Sequence, residues 1–192
     1  MVDAEATLAR QTVDLDLLQR AVRGDNVAFD RLLRPRLERL YRIARAILHD
    51  DAAARDVTQD SCVRAWRRLN GLRDPERFDA WLTQIVVNGC RTQLRRQRMT
   101  DVREIHVDAT DSVDKRMVSP ASPLIDDVIG SESIRRAFRR LDPDKRTLLV
   151  LHYVEAWPLA DIAAALGAPT GTIKWRLSRA RDALERALEA ER

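Results

Sequence analysis

The spacing of apolar residues along the chain follows the 3.6-residue repeat of the α-helix in several separate stretches. Leu15, Leu18 and Val22 mark a first short helix over residues 14–23. A second apolar series predicts a helical stretch that Pro35 breaks, because proline lacks a backbone donor and clashes with the preceding turn. The members of this series are Phe29, Leu32, Leu33, Leu37, Leu40, Ile43, Ala44 and Ile47.

Two further helices are predicted after this series. Asp50 and Asp51 can cap the third helix at its start, and Asn70 with Gly71 ends it. Pro75 suits the first turn of the fourth helix. The inward face of the third helix is Val57, Ser61, Ala65 and Leu69, and that of the fourth is Phe78, Trp81, Leu82, Ile85 and Gly89.

The composition changes at Met99. Residues 99–130 contain seven acidic and three basic residues, with no aromatic residue and no helical repeat. An acidic balance without aromatic residues or helical repeat predicts a linker that is extended or disordered when the protein is alone. The predicted organisation is a tail at 1–13, a first domain at 14–98, the linker at 99–130 and a second domain at 131–192.

The second domain is also predicted to be helical. Ile134, Phe138 and Leu141 mark its first helix, and Asp142 with Pro143 can start the next. The chain is poor in glycine and aromatic residues, which together with these patterns favours an all-α fold of two small domains.

Residues 159–178 have the spacing of a helix-turn-helix. Gly167 suits the left-handed conformation of the turn, Ala163 is small where the two helices cross, and Thr170 is predicted to cap the second helix. The residues expected to lock the two helices together are Ile162, Leu166, Ile173 and Leu177.

The second of these helices is predicted to present a basic face to a DNA groove. Lysine and arginine contact phosphates and guanine edges, and Trp175 offers an apolar surface to a thymine methyl or a sugar. The alternatives are a basic face that is only solvated, and a Trp175 buried against neighbouring helices. The candidate contacts are Thr170, Gly171, Thr172, Lys174, Trp175, Arg176, Ser178, Arg179 and Arg181.

Charge and cysteine usage narrow the function further. The formal net charge of +4 suits an anionic partner but does not name it. Cys62 and Cys90 lie far apart and the three histidines are scattered, so we expect no metal and no cofactor. No apolar run has membrane-spanning length, so we expect a cytoplasmic protein with reduced thiols.

The order of four segments resembles one family across nearly the whole chain. RGDNVAF, DVTQDSCVRAW, RFDAWLTQIVVN and then, after the acidic linker, PTGTIKWRLSRAR are similar to the extracytoplasmic-function sigma factors of bacterial RNA polymerase. The resemblance implies a non-enzymatic initiation factor that binds core polymerase and promoter DNA, with an anti-sigma factor as a further partner and no small-molecule substrate. It makes the first domain sigma region 2 and the second sigma region 4, which reads the minus-35 element.

The resemblance also implies roles for individual residues. The third helix would dock on the clamp helices of the largest polymerase subunit, with the flap as a second polymerase contact, and the linker would thread the active cleft and RNA exit channel. A plain solvated spacer is the alternative for the linker. The implied polymerase contacts are Asp56, Gln59, Asp60 and Arg64, and the implied minus-10 contacts are Asn70, Arg73, Arg77, Asn88, Arg91 and Arg95.

The chain departs from the family pattern at three positions. Cys62 stands where phenylalanine is common, Thr92 where aspartate is common, and Trp175 where a small polar residue is usual. The first two departures bear on the contacts of the first domain. The third bears on the minus-35 sequence that the protein prefers.

Two other classes of protein fit the sequence less well. A two-component or quorum-type regulator has a similar helix-turn-helix, but residues 1–98 show no alternation of strands and helices typical of a receiver domain. An enzyme would need a phosphate loop, a nucleophile motif or a ligand cluster. The paired acids Asp50–Asp51 and Asp126–Asp127 are better explained as a helix cap and linker charge.

Overall fold

The computed structural model describes residues 13–104 and 132–191, and all regular structure within those two ranges is helical. This confirms the predicted all-α fold. The predicted tail except Val13, and all of the predicted linker beyond residue 104, lie outside the described residues.

The described part of the first domain begins with three helices, and an aspartate precedes each of the first two. Asp14 and Asp25 each accept two backbone N–H groups at the start of a helix, which satisfies donors that have no intrahelical partner. Pro35 lies in a short 3₁₀ turn at Arg34–Arg36, which confirms the predicted break. The three helices are α1 Leu15–Val22, α2 Asn26–Leu33 and α3 Leu37–Leu48.

Two longer helices complete the first domain. The third predicted helix is α4, Asp51–Arg68, which Asp50 caps by accepting the backbone N–H of Ala53 at 2.9 Å. The fourth is α5, Phe78–Glu104, preceded by a 3₁₀ turn at Pro75–Arg77. Helix α5 therefore continues beyond the predicted linker start at Met99. Residues 99–104 lengthen an existing helix, which needs no new nucleation.

Helices α4 and α5 pack closely through the predicted faces. A Cβ atom added to Gly89 would lie 2.9 Å from Cγ1 of Val57 and 3.3 Å from Oγ of Ser61. Only glycine allows this approach without displacing its neighbours, and the prediction of Gly89 on the inner face is confirmed. The core of this domain includes the fully buried Phe78, Leu40 and Ile47.

The apolar spacing of α1 was a poorer guide to burial. Leu18 is buried together with Ala21, whereas Leu15 is 56% exposed and Val22 is 41% exposed. This helix packs chiefly on α2 and the turn at Leu69–Gly71, so only a narrow face is covered.

The described part of the second domain, residues 132–191, contains four helices and one π-helical turn. Asp142 accepts the backbone N–H of Asp144 at 2.8 Å and Pro143 begins the helix, as predicted. The elements are α6 Glu132–Arg139, α7 Pro143–Leu149, the π turn Val150–Val154, α8 Leu159–Leu166 and α9 Thr170–Glu189.

The two domains contact each other through α3. The His49 ring at the end of α3 lies edge-on to the Phe138 ring of α6, with centroids 6.0 Å apart. Arg39 forms an ion pair with Glu155, whose side chain is only 2% exposed. The contact thus combines an aromatic pair with a largely buried ion pair.

Candidate nucleic-acid and polymerase interfaces

The helix-turn-helix is formed by α8 and α9. Gly167 has φ +64, the left-handed conformation predicted for the turn. The backbone N–H of Ala168 donates to the carbonyl of Ala163 at 3.0 Å and closes the turn. Ala163, Ile162 and Ile173 are buried, so the two helices are held at a fixed crossing.

The start of α9 differs from the prediction. Pro169, in an extended conformation, occupies the N-cap position, and Thr170 is the first helical residue. No side chain caps this helix. Thr170 was wrongly predicted as the cap because a hydroxyl residue in a turn suits that position, whereas the backbone had already turned into the helix one residue earlier.

Helix α9 divides into a buried and an exposed face. Ile173, Leu177 and Ala180 recur every three to four residues and face the core. Thr172 and Ser178 are half-buried at the border between the two faces. The candidate DNA contacts that are exposed are Thr170, Gly171, Lys174, Trp175, Arg176, Arg179 and Arg181.

Trp175 lies on the exposed face. Its side chain is 61% exposed, which excludes burial against the other helices that the structure describes. The Arg179 guanidinium lies over the indole ring, with Cζ 5.5 Å from the ring centroid. Sequence reasoning did not identify this pair, although the spacing of four residues on one helix was a signal for it.

The predicted polymerase contacts lie on the outer face of α4. Asp56, Gln59 and Asp60 are exposed, while Val57 and Ser61 on the other side are buried. Arg64 is half-buried and lies 3.5 Å from Oδ2 of Asp60. The helix therefore brings three of the four side chains to the surface together.

One apolar residue of this face was missed. Val63 is 46% exposed and lies one helical turn beyond Gln59 and Asp60. It extends the polar patch with an apolar surface of the kind that is buried when proteins associate. The signal in the sequence was the same three-to-four-residue spacing.

The predicted minus-10 contacts form two groups. Asn88, Arg91 and Arg95 are exposed and follow each other at helical spacing along α5. The other group is the connection before α5, where Asn70, Arg73 and Arg77 are exposed. Since a helix rises 1.5 Å per residue, about 16 Å separate Arg77 from Asn88 along the axis.

Arg77 makes a contact that the sequence did not reveal. Its Nη2 lies 3.2 Å from Oδ1 of Asp161, which belongs to α8 of the second domain. One candidate DNA contact of the first domain is therefore paired with the first helix of the helix-turn-helix.

Both cysteines are withdrawn from solvent, Cys90 fully and Cys62 in part. Burial raises the pKa of the Cys90 thiol to about 12, and it also raises the pKa of the half-buried Cys62. Among the described residues, no three or more His, Cys, Asp or Glu side chains form a metal-binding group. None of the helices described has the length and apolar character needed to cross a membrane.

These features define a class of protein: a two-domain helical DNA-binding protein whose second domain is a helix-turn-helix. The Sigma-70 region 2 family matches residues 32–100, and the Sigma-70, region 4 family matches residues 131–184. The chain belongs to the extracytoplasmic-function sigma factors of the sigma-70 family.

Individual relatives agree with this assignment. The RNA polymerase sigma-H factor of Pseudomonas aeruginosa is 31% identical over 185 residues, covering 93% of this chain and 95% of that protein. The ECF RNA polymerase sigma factor SigM of Mycobacterium tuberculosis is 33% identical over 175 residues, covering 91% of this chain and 84% of the relative.

Solved structures show the same fold. The sigma factor RpoE in complex with the anti-sigma factor NepR from Bartonella quintana aligns with a TM-score of 0.64 and 27% identity, covering 85% of this chain and 98% of that one. CnrH in complex with the cytosolic domain of CnrY gives 0.61 and 25%, covering 94% and 99%.

Membership of the family settles the class of function. The protein is a non-catalytic transcription initiation factor that binds core RNA polymerase and directs it to specific promoters. It recognises minus-35 duplex DNA through its helix-turn-helix and opens the minus-10 element through its first domain.

Proposed function

We propose that the exposed face of α9 reads the minus-35 element, with Arg179 at a base edge and Lys174 at a phosphate or a second base edge. The single observation that carries this proposal is the division of α9 into a buried apolar face and an exposed face rich in cations. An α-helix fits the major groove, where arginine can bind the O6 and N7 atoms of guanine.

The minus-10 element is assigned to α5 and to the connection that precedes it. The exposed side chains of Asn88, Arg91 and Arg95 supply amide and guanidinium donors along one face, and these groups suit a strand backbone. Arg73 and Arg77 lie in the connection expected to receive an unstacked base. Binding of that base offsets the cost of separating a few base pairs.

Docking on core polymerase is assigned to the outer face of α4. Asp56, Gln59 and Asp60 are exposed there, and Val63 adds apolar surface beside them. Carboxylates suit a basic surface on the clamp helices, because electrostatic complementarity steers association and fixes orientation.

The domain boundaries and the remaining partners complete the proposal. Region 2 begins at residue 14 and ends with α5 at Glu104, and region 4 spans residues 131–192. The acidic linker between them enters the active cleft and RNA exit channel of the polymerase. The matched ranges 32–100 and 131–184 support this division. The protein acts in the cytoplasm, where the polymerase and the chromosome are.

An anti-sigma factor is the proposed inhibitor. Both solved structures described above are complexes of a sigma factor with an anti-sigma partner, or with the cytosolic domain of CnrY. Their likeness to this chain covers most of its length. A partner that covers the polymerase-binding or DNA-binding face would prevent initiation.

The test is transcription in vitro with core polymerase and a promoter library. We expect specific initiation only when the protein is present, and weak binding to isolated duplex DNA, because two small domains on a long connection lose entropy on binding. Tight site-specific binding without polymerase would contradict the proposal.

Variants separate the three proposed surfaces. Replacing Gln59 and Asp60 by alanine should weaken association with core polymerase with little loss of stability, since both side chains are exposed. Arg179→Ala should leave that association intact and cost about 1–3 kcal/mol at the preferred minus-35 sequence. Unchanged association in the first variant would remove α4 from the polymerase interface.

A further inference from the structure

The pairing of Trp175 with Arg179 stands out on the exposed face of α9. A single exposed aromatic residue is ordinary and needs no explanation. Here, however, the indole carries a guanidinium on its face, with Cζ 5.5 Å from the ring centroid. This lies within the range in which a cation is attracted to an aromatic ring.

The backbone beneath the pair is rigidly held. Leu177 and Ala180 are buried between and beside the two residues, and they fasten this turn of α9 to the core. Residues four positions apart on a helix lie on one face, so the ring and the guanidinium start from neighbouring positions on one turn.

The edge of the guanidinium remains available. Among the described residues, Arg179 forms no ion pair and no hydrogen bond, although Asp182 follows one turn later. A contact with an aromatic ring does not consume the N–H donors of the guanidinium, of which there are five at its edge. Arginine loses much rotamer entropy on binding, and a ring that already restricts the side chain lowers that loss.

We infer that Trp175 is a positioning residue that holds the Arg179 guanidinium edge-on for one base pair of the minus-35 element. The inference rests on the proposed role of α9 in reading that element. Guanine is the base that suits the forked N–H donors of arginine, because it presents its O6 and N7 acceptors in the major groove. Trp175 then acts on specificity through Arg179 and makes no sequence-specific contact of its own.

Two substitutions of Trp175 distinguish this role from a direct contact. Trp175→Phe keeps an aromatic face for the guanidinium, whereas Trp175→Leu keeps apolar bulk that can still touch a thymine methyl. Both residues are compatible with a helix. Arg186→Ala, an exposed arginine further along α9 outside the proposed site, is the control for loss of a positive charge.

The experiment uses the full chain with core polymerase on promoters in which each minus-35 base pair is varied singly. We expect Trp175→Leu to lower discrimination about two- to fivefold at the base pair read by Arg179, and Trp175→Phe to retain most of it. In the Arg179→Ala background, Trp175→Leu should have no further effect at that base pair.

Two kinds of failure are separable. An effect of Trp175→Leu that persists in the Arg179→Ala background, falls at a different base pair, or equals that of Trp175→Phe overturns the inference and makes Trp175 a direct or structural residue. Unchanged minus-35 preference in both Arg179→Ala and Lys174→Ala overturns the assignment of α9 itself. Melting temperatures of the variants should match the wild type, because Trp175 is exposed.

Discussion

The two DNA-binding regions of this protein differ in whether their cationic side chains are already paired with an acidic side chain. On α9, Lys174 and Arg179 have no acidic partner among the described residues, and the Arg179 guanidinium lies over the ring of Trp175. Before α5, in contrast, Arg77 is paired with Asp161 of the other domain. The helix-turn-helix is ready to bind as it stands, whereas Arg77 has to exchange a carboxylate for a phosphate.

The difference has its origin in the contact between the domains. Arg39 at the start of α3 forms an ion pair with the buried Glu155, and His49 at the other end of α3 packs edge-on against Phe138. Breaking this contact should change the first region and leave the exposed face of α9 unaffected.

Reversal of a charge in the buried pair should have the largest effect. Arg39→Glu places a second carboxylate against Glu155, whose side chain is 2% exposed, and should cost on the order of 3 kcal/mol. The distance between fluorophores on the two domains should increase. The swapped variant Arg39→Glu with Glu155→Arg should restore much of the contact. An unchanged distance would show that this pair does not hold the domains together.

The packing of α4 on α5 supports the minus-10 face. Gly89→Ala would place a Cβ atom 2.9 Å from Val57 and should lower the unfolding free energy by about 2 kcal/mol. Promoter opening should decrease, while the preference for the minus-35 sequence stays the same. Gly71→Ala is the matched control, since nothing lies within 4 Å of its added Cβ. If Gly89→Ala and Gly71→Ala have the same unfolding free energy, α4 and α5 can move apart to admit the added Cβ atom without loss of stability.

The domain contact should weaken in acid because of His49. Burial, and then the cations Arg146 and Arg45, lower the pKa of His49 from 6.5 to about 3. The contact is therefore at full strength above pH 6.5 and weakens below it, by about 1.4 kcal/mol per pH unit until the folded-state pKa is reached. His49→Asn suits the left-handed backbone at this position. It should show a smaller loss between pH 7.5 and 5.5, and parallel pH curves would contradict this role for His49.

The exposed pair between the domains should matter least. Arg77 and Asp161 keep 65% and 39% of their side-chain surface exposed, so Asp161→Ala should change stability by at most about 1 kcal/mol. It should nevertheless raise minus-10 binding slightly, since Arg77 no longer has to leave a carboxylate. Asp30→Ala, which breaks an exposed ion pair between α2 and Arg34 of the following turn, is the control. If Asp161→Ala and Asp30→Ala change minus-10 binding equally, the ion pair of Arg77 with Asp161 does not affect that binding.

Local chemistry made most helix boundaries predictable. Asp50 and Asp142 cap their helices through contacts within three residues, and Pro35 interrupts a helix through its own ring. The helix-turn-helix was predictable for the same reason, because Gly167 and Ala163 act within one short segment. The predicted helix boundary was wrong at Thr170 and at the end of α5. At both places the conformation of the adjacent residues in the chain, and not a capping side chain, decides where the helix begins or ends.

The sequence by itself determined the fold class, the family and the faces of α4 and α9, because periodicity and short motifs are properties of neighbouring residues. It did not determine that Leu15 and Val22 are exposed, since that depends on how many partners α1 has. Only the tertiary structure paired Arg77 with Asp161 and buried Glu155 against Arg39, residues more than eighty positions apart in the chain. Such contacts depend on how two domains meet, and the local spacing of residues carries no information about it.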